Sequence, residues 1–289
     1  MKKTITTLLI ISVLTVQSQV MPAYKIYNSK GKEVNYGKML KGVKASDILL
    51  FGELHDNAIS HWMEIELTMA LDKERELTLG SEVFERDNQE ALDLYLIDSV
   101  DADGLDSLAR LWRNYPTDYR PLVDYAKENE IKFVGTNIPR RFAQLVHKND
   151  FEALDTLSEE EKSWMAPLPI KFDSLLPSYQ EILEMMGEHG SMNIVKAQAM
   201  KDATMAHFIL QNYEDGKLFI HFNGAFHSDK YEGILWYLKD DRPELRYSTI
   251  STVEQNNISK LDEENIGLAD FIICVDADVT KTYRSKMNF

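Results

Sequence analysis

Leu49-Leu50-Phe51-Gly52-Glu53-Leu54-His55-Asp56, "LLFGELHD", reads as a buried strand that stops abruptly in a glycine, a glutamate and a histidine. Polar groups of this kind are costly to bury unless they are paired or bound. Similar runs recur along the chain: "DILLFGE" (47 to 53), "LTLGSEVFE" (77 to 85), "IKFVGTN" (131 to 137), "LFIHFNGAF" (218 to 226), "RYSTIST" (246 to 252) and "DFIICVDA" (270 to 277). Between them, residues 57 to 72, 118 to 129 and 191 to 214 carry apolar side chains at helical spacing. Strand and helix in alternation predict an α/β fold, a mainly parallel central sheet with helices on both faces. Residues 150 to 190 break the pattern, with prolines around "APLPIKFDSLLPSY" and acid-rich helical pieces. No strands accompany them, so they are expected to form a helical insertion in one domain over residues 20 to 289.

Composition narrows the function classes. The 289 residues are 44% hydrophobic and 27% charged, which suits a globular protein and excludes disordered or collagen-like chains. Net charge is −15, and an acidic chain lacks the basic surface that nucleic acid requires. The start, MKKTITTLLIISVLTVQSQ, has two lysines, an apolar stretch and then small polar residues, the layout of a secretory signal peptide over residues 1 to 19. Removing Lys2 and Lys3 with it leaves 30 bases against 47 acids, a charge of −17. The expected location is therefore exported, in the periplasm or against the outer membrane. No cysteine stands near the cut to take a lipid. The single cysteine, Cys274 in "FIICV", can form no intrachain disulfide and is expected as buried apolar filler.

In an open α/β sheet, ligands bind beyond the carboxyl ends of the strands. Four of the predicted strands end there in chemistry: Glu53 and His55, Glu82 and Glu85, Asn137 with Arg140 and Arg141, and His221, Asn223 and His227. Gly52-x-x-His55 recurs as Gly224-x-x-His227, and glycine at such a place lets the backbone turn or approach closely. Two imidazoles and two carboxylates, Glu53, His55, Glu82 and His227, compose a ligand shell for a divalent ion such as zinc or manganese. They equally compose an acid/base set. Asn137, Arg140 and Asn223 are the expected cofactor-binding or oxyanion-stabilising neighbours. His61, His147, His189 and His207 are expected at the surface or in packing, and His221 on the face opposite Phe222. The methionines of "EILEMMGEHGSMNIVKAQAMKDATM" are expected as helical core. Tyr115, Tyr119 and Tyr179 are of the kind that can ligate haem iron. No phosphate-cradling glycine loop and no Gly-x-Ser-x-Gly nucleophile motif is present.

These motifs, in their order, resemble the ChaN-like haem-binding proteins of the wider Tiki and erythromycin-esterase superfamily. The markers are Gly52-Glu53-x-His55-Asp56-Asn57, Glu82-x-Phe84-x-Arg86 with Gln89, Tyr119-Arg120-Pro121, Asn137-x-Pro139-Arg140, Gln198-Ala199-x-x-Asp202-x-x-Met205-Ala206 and Gly224-x-x-His227, spread over residues 45 to 240. For the ChaN branch the resemblance implies an iron-uptake accessory protein that holds haem between paired subunits and serves an outer-membrane uptake partner. For the Tiki branch it implies a metal-dependent hydrolase, with Glu53, His55, Glu82 and His227 matching the shared centre. ChaN-branch proteins usually carry a lipid-attachment cysteine, which is missing here.

Overall fold

A computed structural model describes residues 21–187 and 190–283. The predicted leader and His189 lie outside the described residues. Eight strands form one sheet: β1 (Tyr24–Asn28), β2 (Glu33–Val34), β3 (Ile48–Glu53), β4 (Leu77–Glu85), β5 (Lys132–Asn137), β6 (Leu218–Gly224), β7 (Tyr247–Gln255) and β8 (Phe271–Asp276). Their order is β2-β1-β8-β7-β3-β6-β4-β5, and the six strands from β8 to β5 run parallel. The six predicted runs are these six strands. The hairpin β1–β2, antiparallel to β8, was not expected; only Ile26 and Tyr27 of it are buried, too short an alternation to stand out in the sequence.

Among the described residues, ten α-helices accompany the sheet: α1 (Tyr36–Val43), α2 (Ala58–Asp72), α3 (Gln89–Leu96), α4 (Ala102–Leu108), α5 (Arg120–Glu128), α6 (Arg140–Asn149), α7 (Glu159–Lys162), α8 (Pro177–Met186), α9 (Met192–Asn212) and α10 (Ile234–Asp241). Every residue of β3, β4 and β6 is buried, because helices cover both faces of the sheet. Alternation along β3 sends Leu49 and Phe51 toward α2 and α5, where Met63, Leu67, Leu122 and Val123 meet them. Ile48 and Leu50 face the other way, toward Phe142 of α6, Met205 and Ile209 of α9 and Leu235 of α10. Cys274 is buried beside Tyr27 and Ile272. The methionine-rich stretch divides: Met200 and Met205 are core, whereas Met185, Met186 and Met192 face solvent.

The topology creates a crevice. From β3 the chain passes over α2 to β4 and β5 on one side, then returns to lay β6 between β3 and β4. From β6 it leaves by α10, on the opposite face, to β7 beyond β3. Neighbouring strands whose helices depart to opposite faces open a gap at their carboxyl ends. That gap lies at Glu53 and Gly224, which are paired in register. Gly52 is needed for it: a Cβ there would stand 2.8 Å from the backbone of Ala225 and 3.0 Å from the carbonyl of Ile250.

Candidate functional site at the strand ends

The β3 side of the crevice is built on Glu53, which is almost fully buried. Its Oε1 lies 2.8 Å from His55 Nδ1 and accepts the Tyr119 hydroxyl at 2.9 Å. Tyr119 is delivered by a π-helical turn, Tyr115–Tyr119, ahead of α5. Helix α2 starts beneath this group because Asn57 caps it, accepting from the amides of Ile59 and Ser60 at 3.0 Å each. Its first turns bring in His61, with Nδ1 3.2 Å from Glu53 Oε2, and Glu64, 3.3 Å from the same nitrogen. The His55 ring packs edge-on against Trp112 at 4.7 Å, and its side chain is 43% exposed, the open face of the site.

On the β6 side, Glu82 Oε2 accepts the Gly224 amide at 2.8 Å and Oε1 lies 3.2 Å from His227 Nε2. His227 Nδ1 stands 2.5 Å from Asp202 Oδ1, and the Tyr179 hydroxyl donates to the other Asp202 oxygen at 3.0 Å. Gln198, one turn before Asp202 on α9, also reaches His227, 2.9 Å from Nδ1. The two sides meet at Gly224. A Cβ there would fall 2.9 Å from His55 Nε2 and 3.5 Å from Glu82 Oε2, so the missing side chain is what lets the imidazole lie over the strand end.

Charge is set by these neighbours. Burial works against a charged His227, but Glu82 and Asp202 outweigh it and push it up to about 9. Burial likewise opposes ionisation of Glu82, yet His227 holds its carboxyl well below the usual range. For His55, burial is overcome by its hydrogen bond to Glu53 and by the charges of Glu53 and Glu82, and the imidazole is raised. Burial and the charge of Glu53 push Glu64 well up.

The strand-end residues named from the sequence do converge on this crevice, but as two pairs, Glu53 with His55 and Glu82 with His227. Among the described residues, the three donors that come within 4.8 Å of one another are those of Glu53, His61 and Glu64. His61 was expected at the surface or in packing; it is buried within the polar cluster instead. Asn223, expected as a cofactor-binding neighbour, is fully buried, donates to the Gly224 carbonyl and Ser228 Oγ, and has Oδ1 3.0 Å from His221 Nδ1. It shapes the turn that presents His227. Asn137 is buried and holds the Glu82 carbonyl at 3.1 Å. His221 lies away from the site against Thr136, and burial pulls it down to about 4, so it is neutral.

Tyr115, Tyr119 and Tyr179 are all buried, and burial pushes each phenol up. Arg140, by contrast, is exposed at the start of α6 and forms part of the walls of two adjoining clefts. One, of about 910 Å³, runs past Trp112 and is lined by Arg110, Arg113, Arg141 and Tyr283. The other, of about 450 Å³, is lined by Met186, Ile194, Ala197 and Gln198. Glu85 and Asp87 engage Arg110, and Asp87 engages Arg141. Among the described residues, Arg113 and Arg140 have no carboxylate partner.

The family model for "Haem-binding uptake, Tiki superfamily, ChaN" matches residues 39–238. The chain belongs to this family. The fold agrees with it: a Campylobacter jejuni ChaN structure described as binding haem cofacially superposes with a TM-score of 0.66 at 16% identity, covering 88% of this chain and 97% of that one. An erythromycin esterase superposes with a TM-score of 0.51 at 10% identity, over 89% of this chain and 99% of the other. In sequence, the chloroplastic protein RETICULATA-RELATED 5 of Arabidopsis thaliana is 28% identical over 170 residues, 53% of this chain. The chain spans 23% of that relative's length.

Of the remaining site residues, His61 was expected at the surface or in packing, Glu64 had no expected role, and Gln198 and Asp202 stood only among the family markers. His61 and Glu64 are three apart on one helix and six and nine residues beyond His55, a spacing that stacks both on the face turned to β3. Gln198 and Asp202 are one turn apart on α9 and so both face His227.

Proposed function

We propose that this protein binds haem in the joined clefts beside His55. The observation that carries the reading is the family match over residues 39–238. The lining fits the ligand: an amphipathic, dianionic porphyrin needs apolar wall for its macrocycle and cations for its two carboxylates. Met186, Ile194, Ala197 and Trp112 offer the first, and Arg113 and Arg140 the second. Haem bound there would supply an iron centre for carriage rather than turnover. The buried tyrosines are not presented to the clefts, so the axial ligand is sought at half-buried Tyr283 or exposed His55. The leader-like N-terminus supports an exported haem carrier working with an uptake partner at the outer membrane.

Titrating the apo protein with haemin and following the Soret band tests this. A saturable, shifted band, weakened at least tenfold in Arg113→Glu/Arg140→Glu, is the expected result; a flat titration overturns the reading. A second reading, hydrolysis, is favoured by one observation: His227 carries an orienting carboxylate, as a catalytic base does. His55 and Glu82 would then flank the reacting group, with His55 as the solvent-facing acid or base. Ester and amide substrates screened against the wild type and His55→Ala decide it, and equal activity in both removes hydrolysis at this site.

A further inference from the structure

We propose that Glu53, His61 and Glu64 form a buried site for one divalent transition-metal ion, zinc or manganese, beneath His55. The cluster is mixed in chemistry: two carboxylates from different elements face one imidazole, with donor atoms within 4.8 Å of one another. Glu64 is fully buried, and Glu53 and His61 nearly so. Two carboxylate oxygens in it lack an aligned hydrogen-bond donor, Glu53 Oε2 and Glu64 Oε1. Buried oxygens are almost always satisfied. Here Glu53 Oε2 stands 3.2 Å from His61 Nδ1, and Glu64 turns its other oxygen, Oε2, to the same nitrogen at 3.3 Å. Both orphaned oxygens thus belong to carboxylates that flank one imidazole, where a cation would complete them.

The imidazole is set for that role. His61 Nε2 lies 3.1 Å from the His55 carbonyl and donates its proton there, while Nδ1 faces both carboxylates. A bound cation would replace the proton that Nδ1 otherwise shares with them. A ligating histidine characteristically donates its second nitrogen to a backbone carbonyl in this way, which fixes the ring and raises its basicity. Glu53 is held at its other oxygen by the Tyr119 hydroxyl and His55, leaving Oε2 for the ion. One nitrogen and two carboxylates suit zinc, manganese or ferrous iron; soft copper would ask for sulfur, and magnesium or calcium for oxygen alone. Three protein ligands leave a coordination position open to a small molecule or water. The ion would sit one carboxylate away from His55, tying the exposed face of the site to a fixed positive charge. This inference does not depend on haem binding.

Chelator-treated full-length protein titrated with Zn2+ or Mn2+ by calorimetry, with metal content measured after desalting, tests the assignment. One equivalent per chain is expected, with affinity reduced at least tenfold in Glu64→Gln and in His61→Gln and unchanged in His227→Gln. Binding retained in Glu64→Gln but lost in His227→Gln would place the ion on the Glu82 side and overturn the proposal, as would the absence of binding. Should the α2 variants fail to fold, Co2+ in the wild type gives a second readout. Ring-nitrogen NMR showing paramagnetic broadening centred on His61 supports the site, and broadening centred on His227 overturns it.

Discussion

The two sides of the crevice carry the same short motif, Gly-x-x-His after a parallel strand, and treat it in opposite ways. On the β6 side, His227 has carboxylates at both ring nitrogens, Asp202 is held in turn by Tyr179, and Glu82 takes up the Gly224 amide. Each side-chain oxygen of Glu82 and Asp202 has a partner. On the β3 side, His55 faces solvent and two buried carboxylate oxygens have no aligned donor. A saturated network rigidifies, while an unsaturated one marks a place where a ligand completes the structure. The difference is the observation behind the binding proposed above for the β3 side, and it makes the β6 side the more rigidly held of the two.

The sharpest way to break that comparison is to remove Asp202. Asp202→Ala leaves a buried His227 with one of its two carboxylates and strips the acceptor from Tyr179. Breaking one partner of a buried ionic network costs about 3–5 kcal/mol, so a loss of that size in denaturant unfolding is expected. A loss below about 1 kcal/mol would mean that the β6 network is not the rigid side. Next in size is a pH effect. His227 stands near 9 folded against an ordinary 6.5, a raised value, so its contribution is fully present below pH 6.5 and disappears as pH rises through 9. The shift corresponds to about 3 kcal/mol. The stability difference between wild type and His227→Gln is therefore expected to shrink between pH 6.5 and 9.5. A difference that stays constant over that window would contradict the protonated pair.

Smaller still is the effect of closing the gap between the sides. Gly224→Ala would put a methyl 2.9 Å from His55 Nε2, and the ring, being partly exposed, swings away rather than forcing the strand apart. A destabilisation of about 1–2 kcal/mol is expected, typical of mild overpacking. Fluorescence of Trp112, which packs on His55, should change with it. An unaltered spectrum would show that the two sides do not touch through Gly224.

How much of this could be read from the sequence follows from what fixes each part. The parallel strands were legible because strands covered on both faces are rich in apolar residues, as in β3 up to Gly52 and in β8 up to Val275, whereas β4 carries the signature in Leu77, Leu79, Val83 and Phe84 around Thr78, Ser81 and Glu82. Glu53, His55 and His227 were legible because they stand at or just beyond the ends of such runs, and Glu82 because it interrupts one. His61 and Glu64 were not, since on a helix a histidine and a glutamate three apart are ordinary surface composition until the fold turns that face inward. Asn223 shows the opposite limit: its position at a strand end suggested a ligand contact, and nothing in the sequence announces that the turn after β6 engages its side chain with the backbone. The pairing of donors, too, is decided by which helix lies beneath which strand, and that is a tertiary fact.

The smallest predicted effect separates the two sides most cleanly because its sign is reversed. Glu64 is fully buried, one of its oxygens has no partner, and its other lies a long 3.3 Å from His61. Replacing a buried, incompletely paired ionisable group by an apolar one of similar volume is often neutral or favourable. His61 keeps Glu53 as its partner in such a variant. Glu64→Met should therefore raise the stability of metal-free protein by about 1 kcal/mol, measured by denaturant unfolding in the presence of chelator. Wild type should in turn gain stability when Zn2+ is added, by an amount that grows with the logarithm of free metal. The variant should show no such gain. A loss of more than about 2 kcal/mol in metal-free Glu64→Met would place Glu64 among the saturated structural partners, alongside Asp202, and erase the contrast between the two histidine motifs. A gain without metal and none with it would show that Glu64 is retained at a cost to the fold, as residues kept for binding commonly are.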